Sequence, residues 1–201
     1  MARSLSAEPG CEHPLDARQI DALLDIADRA IVDGLRNVRP TLPAPNTLAA
    51  ELLRPVGTFV TLNVHGELNG CIGSIQTDEP LGVSVAKHAW SAAFTDPRLP
   101  ALRWIDYEHL DIEISILSPL SPAPAPSRAA LLDVLQPGVD GLLITSGARR
   151  AVFLPSVWEQ LPSRRTFLTQ LFRKAGLDPT SWPDDLRAEV FTADKFARRA
   201  G

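Results

Sequence analysis

Residues 109–117 (HLDIEISIL) alternate apolar and polar side chains up to Ile116: Leu110, Ile112, Ile114 and Ile116 against His109, Asp111, Glu113 and Ser115. That period of two belongs to a β-strand with one face buried and one face open. A chain that carries it must supply further strands beside it and an apolar layer over one side. The rest of the sequence offers both.

Residues 57–64 (GTFVTLNV) are rich in β-branched and aromatic side chains and read as a strand. His65-Gly66 makes a tight turn, and residues 67–75 (ELNGCIGSI) return as a second strand whose glycines mark a bulge or a close backbone approach. Residues 141–145 and 150–154 flank Ser146-Gly147-Ala148 as another hairpin, and residues 188–192 read as the last strand. Helical spacing appears elsewhere. Asp16 is an N-cap with Gln19 completing a capping box, and Ile20, Leu23, Leu24, Ala27, Ile31 and Leu35 follow on one face. The proline-rich run 40–45 stops that helix, and residues 47–53 form a short helical or irregular piece. Asp78-Glu79-Pro80 opens a second helix carrying Leu81, Val85, Ala86, Ala89, Trp90 and Ala93. Residues 118–127 form a stiff, extended connector, and a helix over 127–135 follows. Residues 155–160 make a helical turn. Ser163 caps a final helix through Phe167, Leu168, Leu171 and Phe172, ended by Gly176.

These elements predict an α+β fold with mainly antiparallel sheet and interspersed helices. At 201 residues the chain suits one domain, or two small lobes sharing one core. Residues 1–14 read as a mobile tail, 15–196 as the domain and 197–201 as a C-terminal tail. Trp90, Trp104, Trp158 and Trp182 are expected in the core or at lobe contacts. The net charge of −4 gives no electrostatic case for nucleic acid or an anionic membrane. Two cysteines, Cys11 and Cys71, do not make a disulfide framework. No apolar leader or run of about 18 apolar residues appears, so a cytoplasmic location is expected.

Cys71 is the sharpest chemical feature. It sits between Gly70 and Gly73, whose missing side chains admit a ligand or another backbone. A nucleophilic thiol also needs a base. His65, in the turn of the same hairpin, is the candidate among His13, His65, His88 and His109. The competing reading is a small buried hydrophobe, the commonest state of a free cysteine. Asp96 and Arg98 flank Pro97 in a loop, either as a local ion pair or aimed at a ligand. Glu113 lies on the polar side of its strand and becomes a functional acid only if that face is covered. No zinc spacing, phosphate loop or serine elbow occurs, and neither a metal nor a cofactor is expected.

Several segments together resemble the AMMECR domain family. They are Gly57-Thr58-Phe59-Val60-Thr61-Leu62 with Leu68-Asn69-Gly70-Cys71-Ile72-Gly73; Ala92-Ala93-Phe94-Thr95-Asp96-Pro97-Arg98-Leu99; and Ile112-Glu113-Ile114-Ser115-Ile116-Leu117-Ser118. Gly138-Val139-Asp140-Gly141-Leu142, Phe153-Leu154-Pro155-Ser156-Val157-Trp158-Glu159 and Lys174-Ala175-Gly176-Leu177 with Trp182 complete the order. The likeness spans about Leu15 to Phe196. It implies a two-lobed α+β fold and a relation to protein A of the AmmeMemoRadiSam system. It also implies partners of the Memo type and of the radical S-adenosylmethionine type. The family's cysteine segment has been suggested as a functional site. That makes Cys71 the candidate nucleophile, with Glu113 and His65 beside it and Asn69, Gly70, Gly73, Asp96 and Arg98 as candidate ligand contacts. The family usually has Arg where this chain has Asn69, which replaces a cationic fork by a neutral amide. Leu99 for the usual Phe is a milder exchange. Two functional readings follow: an enzyme or enzyme subunit centred on Cys71, or a non-catalytic module that partners a Memo-type protein.

Overall fold

The computed structural model describes residues 15–36 and 39–199. The expected N-terminal tail, with Cys11 and His13, lies outside the described residues. The chain divides into two units: Met1–Leu117 with Asp194–Gly201, and Ser118–Ala193. Each has its own apolar cluster. The single shared core anticipated from chain length is therefore replaced by two, because each unit closes a sheet of its own.

The first unit begins with α1 (Ala17–Leu35). The capping box forms as the sequence predicts: Gln19 N–H donates to Asp16 Oδ1 at 2.8 Å and Asp16 N–H to Gln19 Oε1 at 2.9 Å. Two short 3₁₀ turns, Pro45–Thr47 and Ala50–Leu53, occupy the irregular piece. β1 (Thr58–Val64) and β2 (Glu67–Ser74) form the hairpin. His65 and Gly66 take φ of 53° and 79°, the left-handed pair that a two-residue hairpin turn requires. α2 (Leu81–Phe94) and a short α3 (Trp104–Tyr107) precede β3 (Leu110–Leu117). β8 (Ala193–Arg198), the last element in the chain, completes an antiparallel sheet of order β2-β1-β3-β8. The expected terminal tail thus begins inside a strand.

One face of this sheet is sealed by the helices. Val60, Leu62 and Ile114 bury fully with Ala27 and Ile31 of α1 and Val85 and Ala89 of α2. Full burial of an aliphatic side chain of this size is worth about 1.5–3 kcal/mol. α3 was not visible as a helix in the sequence, and its Trp104 is 50% exposed rather than part of a core.

The second unit contains β4 (Ser121–Pro122), α4 (Arg128–Val134), β5 (Gly141–Ser146), β6 (Arg149–Phe153), α5 (Arg164–Lys174) and β7 (Arg187–Phe191). Its antiparallel sheet has the order β4-β7-β5-β6. β4 lies inside the segment read as a connector, where Ser121 and Pro122 pair with Val190 and Glu189. Proline is admissible there because β4 is an edge. The 3₁₀ turn Pro155–Glu159 places the Trp158 ring on Phe167, stacked at 3.7 Å between centroids, while Trp158 Nε1 donates to the Asp140 carbonyl at 2.7 Å. Leu131, Leu142, Ile144, Leu168 and Phe172 fill the rest of that core.

The backbones of β2 and α2 come close together at Gly70. A Cβ built on Gly70 would stand 1.9 Å from the Ala92 carbonyl oxygen. We expect Gly70→Ala to lower unfolding free energy by about 3 kcal/mol, the upper part of the range for overpacking, as read from urea midpoints at unchanged slope.

Candidate functional site

β2 is an edge strand, so the outward N–H and C=O of its residues have no strand partner. At Cys71 both are met by the loop after α2. Asp96 Oδ2 accepts the Cys71 N–H at 3.0 Å, and Arg98 Nη2 donates to the Cys71 carbonyl at 2.9 Å. Arg98 is tied in turn to Asp96 through Nε at 2.9 Å and Nη2 at 2.6 Å. The Asp96 side chain is 2% exposed and that of Arg98 61%. The ion pair thus stands in for a neighbouring strand over one peptide pair. It resolves the two sequence readings of this loop: the pair is local, and its target is backbone.

The hydrogen bonds from Arg98 hold the Asp96 carboxyl well below the usual carboxylate range; burial opposes this, and the Cys71 and Arg98 backbone N–H groups reinforce it. The Arg98 guanidinium is raised, first by its hydrogen bond to Asp96 and against burial, with smaller charge and hydrogen-bond contributions from the Cys71 thiol. A cation therefore lies beside the sulfur, already paired.

Across the sheet, Cys71 is in register with Thr61 of β1, and Thr61 with Glu113 of β3. Register partners share a face. Because Val60 and Leu62 point to the helices, this rung points the other way. Thr61 Oγ1 donates to Cys71 Sγ at 3.4 Å. Glu113 pairs with Lys195 of β8 at 3.3 Å, their side chains 31% and 39% exposed. One rung therefore carries a thiol, a hydroxyl and a carboxylate, and the carboxylate is met by an ammonium from β8. Cys71 and Glu113 are two strand spacings apart, about 10 Å, so the carboxylate does not touch the thiol. Thr61 and Lys195 were not singled out in the sequence. Counted back from the His65-Gly66 turn, a regular hairpin sets Val60 opposite Cys71, and only the register shift between Leu62 and Asn63 brings Thr61 there; nothing local marks Lys195.

Other expected contacts are not brought together. His65 lies four residues beyond Thr61, about 13 Å along the strand, with its ring 4.1 Å from that of His109. It is not the base for Cys71. The gaps at the glycines are filled from within: Gly70 by the Ala92 carbonyl, and Gly73 by the Phe59 ring, 2.3 Å from a built Cβ. Both admit protein rather than ligand. Asn69 is the extra residue of a β-bulge, since Leu62 pairs with Gly70 and Asn63 with Leu68. Its Oδ1 is buried without a hydrogen-bond partner among the described residues. Among those residues no three potential metal ligands gather.

One unit with a sheet whose edge peptide is clamped by an Asp-Pro-Arg loop, and a second unit with its own sheet and helices, define the class as a two-unit α+β protein with antiparallel sheets. The chain belongs to the AMMECR1 family, whose model matches residues 24–196. It is 34% identical over 189 residues to a protein of Methanothermobacter thermautotrophicus, covering 91% of this chain and 96% of that one. It is 36% identical to Protein TK0174 of Thermococcus kodakarensis, covering 87% of each. The crystal structure of uncharacterized protein PH0010 from Pyrococcus horikoshii superposes with a TM-score of 0.81 at 29% identity, covering 92% of this chain and 93% of that one. No described helix is long and apolar enough to cross a membrane.

The clamp has a pH signature. A lowered folded-state pKa means that the contribution of Asp96 is fully present above its unfolded value, about 3.9. It is lost as pH falls through the folded value. We expect Asp96→Asn to cost about 2 kcal/mol at pH 7, a charged hydrogen-bond value moderated by the exposure of Arg98. In urea titrations the gap to wild type should stay constant from pH 8 to 5 and narrow below pH 4.

Proposed function

We propose that this chain is an enzyme, or a subunit of one, whose working group is the Cys71 thiol. In this reading it acts in the cytoplasm within an AmmeMemoRadiSam-type system, alongside a Memo-type protein and a radical S-adenosylmethionine protein. The observation that carries the reading is the clamp: a nearly fully buried carboxylate and its arginine converge on the peptide of Cys71. Such an arrangement holds one side chain at a fixed height above the sheet. The thiol then takes hold of an electrophilic or thiophilic ligand, with the Thr61 hydroxyl hydrogen-bonded to sulfur. Glu113, farther along the same rung, and its partner Lys195 act on the distal part of that ligand rather than on the thiol.

Iodoacetamide labelling of the native full chain tests this, with Cys71 and Cys11 read separately by mass spectrometry. Thr61→Val should change the Cys71 rate about threefold or more, one charge-free hydrogen bond, and leave the Cys11 rate unaltered. A host lacking the gene should be rescued by wild type and not by Cys71→Ala. Rescue by that variant, together with a native Cys71 that resists labelling, would sink the proposal.

A second reading rests on a different observation. Trp104 and Ile105 of α3 are 50% and 75% exposed side by side, an apolar display that suits a protein contact. Here the chain is a non-catalytic module holding a Memo-type protein. Trp104→Ala with Ile105→Ser should abolish co-purification with a Memo-type protein while leaving Cys71 labelling unaltered. Retained co-purification would remove this reading.

A further inference from the structure

Away from the Cys71 rung, the first unit carries an open cleft of about 850 Å³ between α1 and the segment leading into the 3₁₀ turns. That volume lies within the range of small-molecule sites. Its floor is apolar: Ala22 and Ile26 of α1 with Leu48 and Leu52. Leu52 is 2% exposed, and Leu48 and Ile26 both pack towards Gly82 of α2, so the floor is anchored to the core. The opposite wall includes Leu42 and Pro43, from a proline-rich run that is stiff before any ligand arrives. Thr41 N–H holds that wall to α1 through Asp33 Oδ2 at 2.9 Å.

The polar groups of the cleft sort themselves by partner. Asp16 caps α1 and Gln19 reaches Glu51 at 2.8 Å. Asp25 is held by Arg198 at 2.8 Å, and Thr47 Oγ1 donates to the Ala44 carbonyl at 2.7 Å. Two lining charges are left, Arg18 and Arg29, which make no ion pair or hydrogen bond with any described residue. They lie eleven residues apart on α1, on one stripe of the helix and about 16 Å from each other along its axis. Both acidic side chains of the lining are occupied and both unpaired side chains are guanidinium forks, whose geometry matches a carboxylate.

We propose that this cleft binds an elongated amphipathic carboxylate, its hydrocarbon body on the Ala22–Ile26–Leu48–Leu52 floor and its head on an α1 arginine. The site is separate from the Cys71 rung and does not depend on the function assigned there. The probe is decanoate, kept below its micellar concentration and titrated calorimetrically into the full-length protein. Saturable binding is expected. The surface variant Arg18→Gln/Arg29→Gln should weaken it about tenfold or more, the value of a charge-assisted hydrogen bond, at an unchanged melting temperature of the free protein. Decanol and decyltrimethylammonium should bind about tenfold more weakly than decanoate. No saturable heat, equal affinity for decanol, or undiminished binding by the double variant would each overturn the proposal. Cys71→Ala should bind decanoate as wild type does, and a loss there would also count against a separate site.

Discussion

The geometry of the first unit depends on a single steric fact: at Gly70 the backbone of β2 and the backbone of α2 touch. The Ala92 carbonyl occupies the space a side chain would take, so any larger residue would push helix and strand apart. That contact sets how closely the last turn of α2 lies against β2. Asp96 follows Ala92 by four residues and Gly70 precedes Cys71 by one, so the loop after the helix meets the strand edge at Cys71. Glycine is needed here for closeness rather than for backbone freedom.

The clamp that results settles a general problem and a local one together. An open edge strand invites pairing with another chain. Asp96 and Arg98 block that pairing at one peptide and, in doing so, immobilise the residue that carries the thiol. Arg98 is mostly exposed while Asp96 is not, so the carboxylate is desolvated and the cation remains hydrated. This division avoids the full cost of burying both charges. The thiol therefore sits beside a cation whose charge is already answered.

Much of the fold was legible because the relevant signals are local. The capping box of α1, the paired left-handed residues at His65-Gly66 and the alternation over 109–117 each act over a few residues, and each appears where expected. What escaped was set by distant partners. β4 is a strand only because β7 lies beside it, and the chain end becomes β8 only because β3 offers a free edge. Trp104 is exposed although its type favours burial, because the four-residue α3 has no apolar face broad enough to bury it. For the site, the sequence pointed to the cysteine, the glycines and the Asp-Pro-Arg loop, but left open which of them touch.

By itself the sequence determined the α+β class, the hairpin with its turn, the four longer helices and the segment around Cys71, since periodicity and turn chemistry are properties of neighbouring residues. Tertiary structure alone decided that the glycine gaps hold protein, that Asp96 and Arg98 grip the Cys71 peptide, that Lys195 meets Glu113 and that His65 stays away. These are matters of register and layer packing. Register pairs residues tens of positions apart, and a one-residue slip would carry a side chain to the opposite face of the sheet.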